Sequence, residues 1–275
     1  MAAVSVPHVP VSHPCFNDEA HDRVGRVHLP VAPRCNIQCD FCERRTCTAI
    51  AHPGWAARLL SPGEAAALVD SIVSERGTRN FVAGIAGPGD PLANDATFHT
   101  LALLQERHPD ILRCLCTNGL LLEDRLRGLL DLGIGALTIT INAPNPLVAS
   151  RVYAWARYQG RVYREMEAAE LLVDKQFRGL RAALRAGIPV KVNSVLIPGV
   201  NDDAMPELAR RLAAAGAPLM NIMPLIPSGR MRELRAPTCD ELRRTRQVCA
   251  AFIPQFCRCE QCRADVIYLP DATLG

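Results

Sequence analysis

The feature of this 275-residue sequence that most constrains its fold and chemistry is a group of cysteines near the N-terminus. Cys35, Cys39 and Cys42 form a Cys-x3-Cys-x2-Cys motif that begins shortly after the apolar stretch 27–31. An iron–sulfur cube binds a thiolate at each of its irons, so a loop with three thiolates leaves one iron open to another ligand. The alternatives are a partial zinc site, although a closed zinc site needs four ligands, or buried cysteines that act as small apolar side chains.

Composition indicates one folded enzyme-sized unit. The sequence is 49% hydrophobic and 21% charged, which fits a single α/β barrel domain with short extensions. The net charge of +3 is small and the basic residues are spread along the chain, so we expect neither nucleic acid nor a membrane as a partner. Because the sequence has no apolar run of membrane-spanning or secretory length, we expect a cytoplasmic protein. There, its 12 cysteines are expected to be metal ligands rather than disulfides.

Short apolar segments alternate with helical patterns along the chain. The predicted strands are 26–31, 80–86, 111–117, 136–141, 190–196 and 219–223. The predicted helices are 61–75, 96–107, 123–132, 166–186, 203–215 and 240–250. The first helix begins with Ser61, Pro62 and Glu64, a capping box with proline at the first helical position.

Continuous apolar strands joined by crossover helices are typical of parallel sheets. Six such units predict an α/β fold, a partial (β/α)6-type TIM barrel whose reactive groups lie at the carboxyl ends of the strands. We predict that an N-terminal extension precedes the barrel and that a C-terminal helix with a Cys-rich tail follows it. The predicted boundaries are 1–24, 25–235 and 236–275.

Glycine and polar residues at the predicted strand ends, together with two residues inside the fifth predicted strand, are candidates for binding a cofactor. They are Gly87, Gly89, Asp90, Thr140, Asn142, Val192 and Asn193. The glycines of the Gly-Pro-Gly-Asp turn let the backbone approach a ligand closely, although alone this turn would be an ordinary tight connection. Thr140 and Asn142 are two residues apart and share one face of their strand. Val192 and Asn193 point to opposite faces, so we expect Val192 to contribute through its backbone.

Further candidate metal ligands cluster mainly towards the two ends of the chain. They are His13, Cys15, Cys47, Cys114, Cys259 and Cys262. An imidazole two residues from a thiolate offers a pair of iron ligands, and the Cys-x2-Cys of the tail suits a cluster or zinc. Cys114 is the weakest candidate, since a lone strand cysteine is more often part of the core. We interpret Cys116, Cys239 and Cys249 as core or surface thiols.

At the carboxyl end of a first strand, the cysteine motif resembles that of the radical S-adenosylmethionine (SAM) superfamily, in which the free iron chelates SAM. A more specific similarity extends from about His13 to Asp265. It includes His13-Pro14-Cys15-Phe16, Gly87-Pro88-Gly89-Asp90, Val190-Lys191-Val192-Asn193-Ser194 and Cys262-Arg263-Ala264-Asp265. With these segments the sequence resembles the NifB family, the radical SAM maturases of the nitrogenase cofactor.

This resemblance implies a lyase-type radical SAM enzyme with one SAM-binding [4Fe-4S] cluster and two auxiliary precursor clusters. The precursors would fuse, with a SAM-derived carbide and an added sulfur, into the eight-iron precursor of the nitrogenase cofactor. The three cysteines of the motif would hold the SAM cluster, and the strand-end residues would bind SAM, with Asp90 near its ammonium group. The six further ligands would hold the auxiliary clusters. The implied partners are a low-potential ferredoxin or flavodoxin as electron donor and a nitrogenase cofactor assembly scaffold or carrier protein.

The sequence departs from the family pattern after Cys47. Ile50 stands where the family has a glutamate, and His52 is the nearby side chain that would have to replace that carboxylate. Two other function classes remain open at this point. One is a radical SAM enzyme with auxiliary clusters that modifies a peptide or small molecule, and the other is a non-catalytic iron–sulfur or zinc protein.

Overall fold

The computed structural model describes residues 13–48, 52–77 and 81–270. The strands are β1 Gly25–His28, β2 Ile37–Cys39, β3 Phe81–Ile85, β4 Leu112–Thr117, β5 Ala136–Thr140, β6 Tyr153–Tyr158, β7 Arg161–Arg164, β8 Val190–Leu196, β9 Met220–Pro224 and β10 Ile267–Tyr268. The helices are α1 Asp18–His21, α2 Pro62–Arg76, α3 Asp95–Arg107, α4 Leu122–Asp131, α5 Pro146–Ala149, α6 Glu165–Arg185, α7 Met205–Ala214 and α8 Cys239–Ala250. Ile50 and Asn80, the first residue of the second predicted strand, lie outside the described residues.

A seven-stranded sheet in the order β10-β1-β3-β4-β5-β8-β9 forms the frame of the molecule. The six strands β1, β3, β4, β5, β8 and β9 run parallel to one another, and β10 pairs antiparallel with β1. A helix of ten or more residues follows each of the six parallel strands. The predicted partial barrel of six β/α units is therefore confirmed, and the antiparallel edge strand is an addition that the sequence pattern did not predict.

The two faces of β4 show how this sheet separates core from site. Arg113, Leu115 and Thr117 are buried, whereas the alternate residues Cys114 and Cys116 are only partly buried. The guanidinium of Arg113 donates a hydrogen bond to the carbonyl of Gly133 at 3.2 Å. Because Gly133 follows the end of α4, the strand face that carries Arg113 lies against the helices. Because side chains alternate across a strand, both cysteines point to the inside of the half barrel.

The capping box predicted at the start of α2 is confirmed. The amide of Glu64 donates to the Ser61 hydroxyl at 3.2 Å, and the Glu64 carboxylate accepts from the Ser61 amide at 2.8 Å. A second capping box begins α8, where Thr238 and Glu241 exchange the same two hydrogen bonds. These caps fix where each helix begins and so hold its packing register on the sheet.

A second sheet was not predicted. It has the order β2-β6-β7, so a β-hairpin pairs with a short strand inside the cysteine motif. Gln159 and Gly160, at the hairpin turn, have φ angles of 49° and 79°. Positive φ at both central residues is the geometry that tight hairpins favour. The hairpin carries four aromatic residues, Tyr153, Trp155, Tyr158 and Tyr163.

The two ends of the described chain pack back onto the sheet. Phe16 from the N-terminal segment and Phe256 from the tail share a small apolar cluster with Ala136 and Leu219. Cys15, Cys114 and Cys259 pack against that cluster, together with Leu112. The boundaries near 24 and 235 remain predictions. Within the part of the chain described here, no helix is long and apolar enough to cross a membrane.

Candidate metal and cofactor site

The three cysteines of the sequence motif meet at one cavity. Cys35, Cys39 and Cys42 line a space of about 170 Å³ at the carboxyl ends of β3, β4 and β5. The side-chain amide of Gln38 holds the loop by donating to the carbonyls of Cys39 at 2.8 Å and Cys42 at 2.9 Å. Strand β2 ends within the motif and pairs with β6, so the second sheet also fixes the loop.

Burial dominates the electrostatics of these thiols. It raises the pKa of Cys35 to about 12, raises the pKa of Cys39 well above its usual value and also raises the pKa of Cys42. The nearby Arg44 acts in the opposite direction on the pKa of all three. A buried thiolate needs a cation or a hydrogen-bond donor close to it. Three thiols that share one enclosed space therefore suit a bound metal cluster better than free thiolates.

The glycine turn after β3 packs directly against the cysteine loop. The amide of Gly89 donates to the carbonyl of Ala32 at 2.6 Å, and the amide of Asp90 donates to the carbonyl of Arg34 at 2.9 Å. A Cβ atom at Gly89 would lie 2.1 Å from the Arg34 carbonyl oxygen. Gly87 has a φ of +139° and faces Ala264 of the tail. The turn thus needs glycine because backbone segments meet there.

Asp90 joins the ends of two strands. Its buried carboxylate accepts hydrogen bonds from the Thr117 hydroxyl at 2.9 Å, the Asn118 amide at 2.7 Å and the Leu92 amide at 3.0 Å. Burial raises the pKa of Asp90 to about 6, while these hydrogen bonds oppose the rise. Asp90 lines the cavity, but its carboxylate already has three donors inside the protein. A contact with the SAM ammonium remains a prediction.

The other strand-end candidates separate into two groups. Thr140 lines the cavity. Asn142, Val192 and Asn193 are not among the residues that line it. Their polar groups hold the sheet together: Asn142 Oδ1 accepts from the Val195 amide at 2.8 Å, and Asn193 Oδ1 accepts from the Asn221 amide group at 2.9 Å. The Val192 amide donates to the Leu219 carbonyl at 2.9 Å.

Three residues that are not among the cofactor-binding candidates given above also lie at the cavity. Asn118, Cys116 and Tyr153 line it. The Asn118 side chain donates towards Cys35 Sγ at 3.8 Å and to Asn36 Oδ1 at 2.7 Å. Tyr153 is 1% exposed, and its hydroxyl lies beside Gln176 and Asn142. Burial raises the pKa of Tyr153, and hydrogen bonding to these two residues opposes the rise.

Cys116 differs from its interpretation as a core or surface thiol, because it lies at the cavity with its Sγ 3.8 Å from Thr140 Oγ1. The signal was available in the sequence. Cys114 and Cys116 are two residues apart on one strand, so a ligand role for one implies that the other faces the same space. Cys249 is fully buried and Cys239 is exposed, as interpreted.

A second group of thiols lies deeper inside the half barrel. Cys15, Cys114 and Cys259 come from the N-terminal segment, β4 and the tail, and pack against the same apolar cluster. Burial raises the pKa of Cys15 and of Cys114, and the negative charge of a neighbouring thiolate raises each further. Burial also raises the pKa of Cys262 to about 11, and Cys15 and Cys259 act on it in the same direction. The fold thus brings together four candidate ligands from distant parts of the sequence.

His13 stands beside this group with one ring nitrogen unused. It is 2% exposed, and its Nδ1 accepts a hydrogen bond from the Cys15 amide at 3.1 Å. Its Nε2 is buried and has no partner among the described residues. Burial lowers the pKa of His13 to about 3, with Lys191 acting in the same direction. The imidazole is therefore neutral and able to bind a metal through Nε2.

Comparison with known proteins identifies the family. Residues 29–212 match the model of the Radical SAM superfamily. The chain is 42% identical over 264 residues to the FeMo cofactor biosynthesis protein NifB of Methanocaldococcus infernus, a match that covers 95% of this chain and 87% of that protein. The chain belongs to the NifB family. NifB of Klebsiella pneumoniae is 44% identical over 264 residues, covering 93% of this chain and 56% of that protein.

Solved structures agree with the NifB-family fold. Streptococcus suis SuiB superimposes with a TM-score of 0.62 at 12% identity, covering 87% of this chain and 51% of that one. Native anSMEcpe with bound AdoMet superimposes with a TM-score of 0.53 at 11% identity, covering 72% of this chain and 51% of that one. At these identities the likeness concerns the fold alone, which is the predicted radical SAM half barrel.

The segment after Cys47, in which this member departs from the NifB pattern, is described by the structure on both sides of residues 49–51. The carbonyl of Cys47 accepts a hydrogen bond from Arg263 at 2.7 Å, which ties the segment to the tail. His52 stacks on Trp55 with ring centroids 4.7 Å apart. Its Nε2 is buried and has no partner among the residues described. Replacement of the family glutamate by His52 remains a prediction, and Ile50 lies outside the described residues.

The residues present fit the clusters and SAM that a radical SAM protein needs. The cavity combines three thiols with the polar side chains of Asn118 and Thr140, so both a metal cluster and the polar groups of SAM find ligands there. Among residues 13–48, 52–77 and 81–270, there is no group of three or more His, Cys, Asp or Glu side chains placed so that they could hold a single metal ion. That finding concerns single ions, whereas the thiolates of a cluster bind separate irons.

Proposed function

We propose that this NifB-family protein acts in nitrogenase cofactor biosynthesis and fuses two [4Fe-4S] clusters into the eight-iron precursor. One SAM would donate its methyl group to a sulfide of the precursor clusters. A second SAM, cleaved reductively, would provide the 5′-deoxyadenosyl radical that removes hydrogen from this carbon. Its two remaining hydrogens would leave as protons and the irons of the two clusters would supply the electrons, so that this carbon becomes the carbide that, with an added sulfur, joins the two halves. The proposal makes the auxiliary clusters substrates, while the SAM cluster is the resident cofactor.

One observation supports this proposal beyond the family similarity: a single strand face links the two groups of thiols. Cys116 lines the cavity of the cysteine motif, and Cys114 packs with Cys15 and Cys259 in the deeper group. Two residues along a strand span roughly 7 Å. Clusters held by the deeper group would therefore lie within reach of SAM bound in the cavity.

The protein's own residues would position and enclose the reaction. When bound, the SAM cluster at Cys35, Cys39 and Cys42 would supply the electron for reductive cleavage of SAM. Asp90 holds the ends of β3 and β4 together and so fixes the cavity floor on which SAM would lie. The β6–β7 hairpin contributes Tyr153 and covers the cysteine loop from the other side. Such enclosure excludes water from a reactive radical.

The deeper group would bind the precursor clusters as substrates. Its proposed ligands are His13, Cys15, Cys47, Cys114, Cys259 and Cys262. These come from four separate segments of chain, so no single rigid loop surrounds a cluster. Ligands of this kind can exchange one at a time, as clusters that fuse and then leave would require. We propose a low-potential ferredoxin or flavodoxin as the electron donor and an assembly scaffold or carrier protein as the recipient.

Iron content and its response to SAM provide the test of this function. Purified without oxygen and loaded with iron and sulfide, the protein is expected to hold about twelve irons, as three four-iron clusters. Electron paramagnetic resonance should show signals that change or vanish when SAM is added. About four irons would instead indicate a radical SAM enzyme without precursor clusters, and zinc with no SAM response would exclude the radical reaction.

A double substitution at the tail separates the two kinds of cluster. Changing Cys259 and Cys262 to alanine is expected to lower the iron content by about four per chain while the SAM-cluster signal remains. The reason is that Cys259 packs in the deeper group, Cys262 is close enough for Cys15 and Cys259 to raise its pKa, and neither Cys259 nor Cys262 lines the cavity. Cys239→Ala, at an exposed cysteine, is the control and should keep all its iron. Unchanged iron in the double variant would remove the tail from the ligand set.

A further inference from the structure

A buried lysine lies inside the half barrel, away from the carboxylates of the described residues that form ion pairs. Lys191, on β8, is 3% exposed, and its Nζ donates to the carbonyl of Cys15 at 2.7 Å. The ammonium also lies over the rings of Phe256, at 4.8 Å, and Phe16, at 5.4 Å. No carboxylate among the described residues forms an ion pair with it. Lys175, by contrast, pairs with two carboxylates on the helical layer.

Burying an ammonium without a negative charge close to it is unfavourable, so proteins normally pair such groups. A carbonyl and two aromatic faces compensate only part of that cost. A lysine has three N–H donors, and only one of them is used here. The remaining donors and the uncompensated charge are suited to an anion that enters the half barrel.

The groups that surround Lys191 indicate which anion this is. Burial raises the pKa of Cys15 and of Cys114, and in both cases the Lys191 ammonium opposes the rise. Lys191 acts in the same sense on Cys116. Phe16 and Phe256, whose rings lie under the ammonium, belong to the apolar cluster against which the deeper thiols pack, so Lys191 stands at that group. Arg44 is the cation that acts on the motif cysteines.

The other buried cation of this region is already paired. Arg26 is 1% exposed and donates to the Glu260 carboxylate at 2.9 Å. It also acts on Cys15 and Cys262, so the deeper group is bordered by two cations. Because Glu260 neutralises Arg26, Lys191 carries the uncompensated positive charge on this side of the site.

We propose that Lys191 is a positioning residue that holds an anionic iron–sulfur cluster at the deeper thiol group by neutralising its thiolate and sulfide charge. The inference rests on the proposed function, because it takes the precursor cluster as the anion. Each thiol that binds iron forms an Fe–S bond and releases its proton to solvent. Lys191 takes no part in this proton release, and no electrons are transferred in this binding step.

Lys191→Met tests this role because methionine keeps the length of the side chain and removes the charge. Before iron loading, the variant is expected to be at least as stable in thermal unfolding as the unchanged protein, since an unpaired buried charge has been removed. After loading, its iron should fall from about twelve to about eight or fewer per chain, with the SAM-cluster signal retained. Lys191→Arg, which keeps the charge, should retain most of that iron.

Lys175→Met is the matched control, since it removes a lysine charge remote from the thiols and should keep all the iron. Full iron in Lys191→Met would overturn the inference while leaving the proposed function intact. A clear loss of stability in Lys191→Met before loading would also overturn it, because the lysine would then act by anchoring the segment at Cys15. If the unchanged protein holds only about four irons, the proposed function fails and this inference fails with it.

Discussion

Cys39→Ala is expected to abolish reductive cleavage of SAM and to leave the auxiliary iron in place. Cys39 is the central thiol of the motif, lies at the end of β2 and lines the cavity with Cys35 and Cys42. With two thiolates left, the cluster would lose a ligand and would no longer be held in a fixed position at the cavity. We expect 5′-deoxyadenosine formation to fall by more than about a hundredfold, since even a misplacement of about 1 Å can cost that much.

The measurement is chromatographic detection of 5′-deoxyadenosine after reduction with SAM present, combined with an iron count. Cys239→Ala is the control, because this thiol is exposed at the start of α8 and does not line the cavity. Iron in Cys39→Ala should fall by about four, the content of one cluster. Continued formation of 5′-deoxyadenosine would show that another site cleaves SAM.

The frame of the fold was predictable because it depends on local pattern. Strand β3 is buried at all five positions and reads as a continuous apolar run in the sequence. Strand β8 is buried at six of seven positions, and Val190, Val192, Val195 and Leu196 supply its apolar residues. Such runs occur where helices cover a parallel sheet. The capping boxes are also local signals, so the start of α2 was predicted to the residue.

The hairpin that carries Tyr153 was not predictable in the same way. Its partner β2 has only three residues and lies inside the cysteine motif, so the pairing joins Ile37 to Ala156 over a long stretch of sequence. No period-two pattern develops over so few residues. The sequence contains aromatic residues after the fourth predicted strand, and only the fold shows that Tyr153 among them lines the cavity.

The site was predictable in its residue types but less so in their roles. Asp90 was expected to face SAM, yet hydrogen bonds from Thr117 and Asn118 occupy its carboxylate, a contact between two strand ends that spacing does not reveal. Asn142 shares a face with Thr140 in principle, but it lies beyond the end of β5, where strand alternation no longer applies. Lys191 stands in a predicted strand, but the sequence could not show that no carboxylate of the described residues pairs with it.

Gly89→Ala is expected to destabilise the protein and to disrupt the SAM cluster together. The new Cβ would lie 2.1 Å from the Arg34 carbonyl oxygen and 2.9 Å from that of Ala32. Both contacts are with backbone of the loop that leads into Cys35, so the loop must move rather than a flexible side chain. We expect a loss of about 3 kcal/mol in the free energy of unfolding, typical of severe overpacking.

Thermal unfolding and iron counting would measure both effects of Gly89→Ala, with a decrease in Tm of roughly 6–12 °C and a loss of SAM-dependent signals. Gly63→Ala is the matched control, since its Cβ would meet nothing within 4 Å in α2. Alanine there should be neutral or stabilising by up to about 1 kcal/mol. If Gly89→Ala keeps its Tm but loses SAM cleavage, the glycine is needed to make room for SAM and not for the packing of the cysteine loop. If it keeps both, the close approach of turn and loop is dispensable.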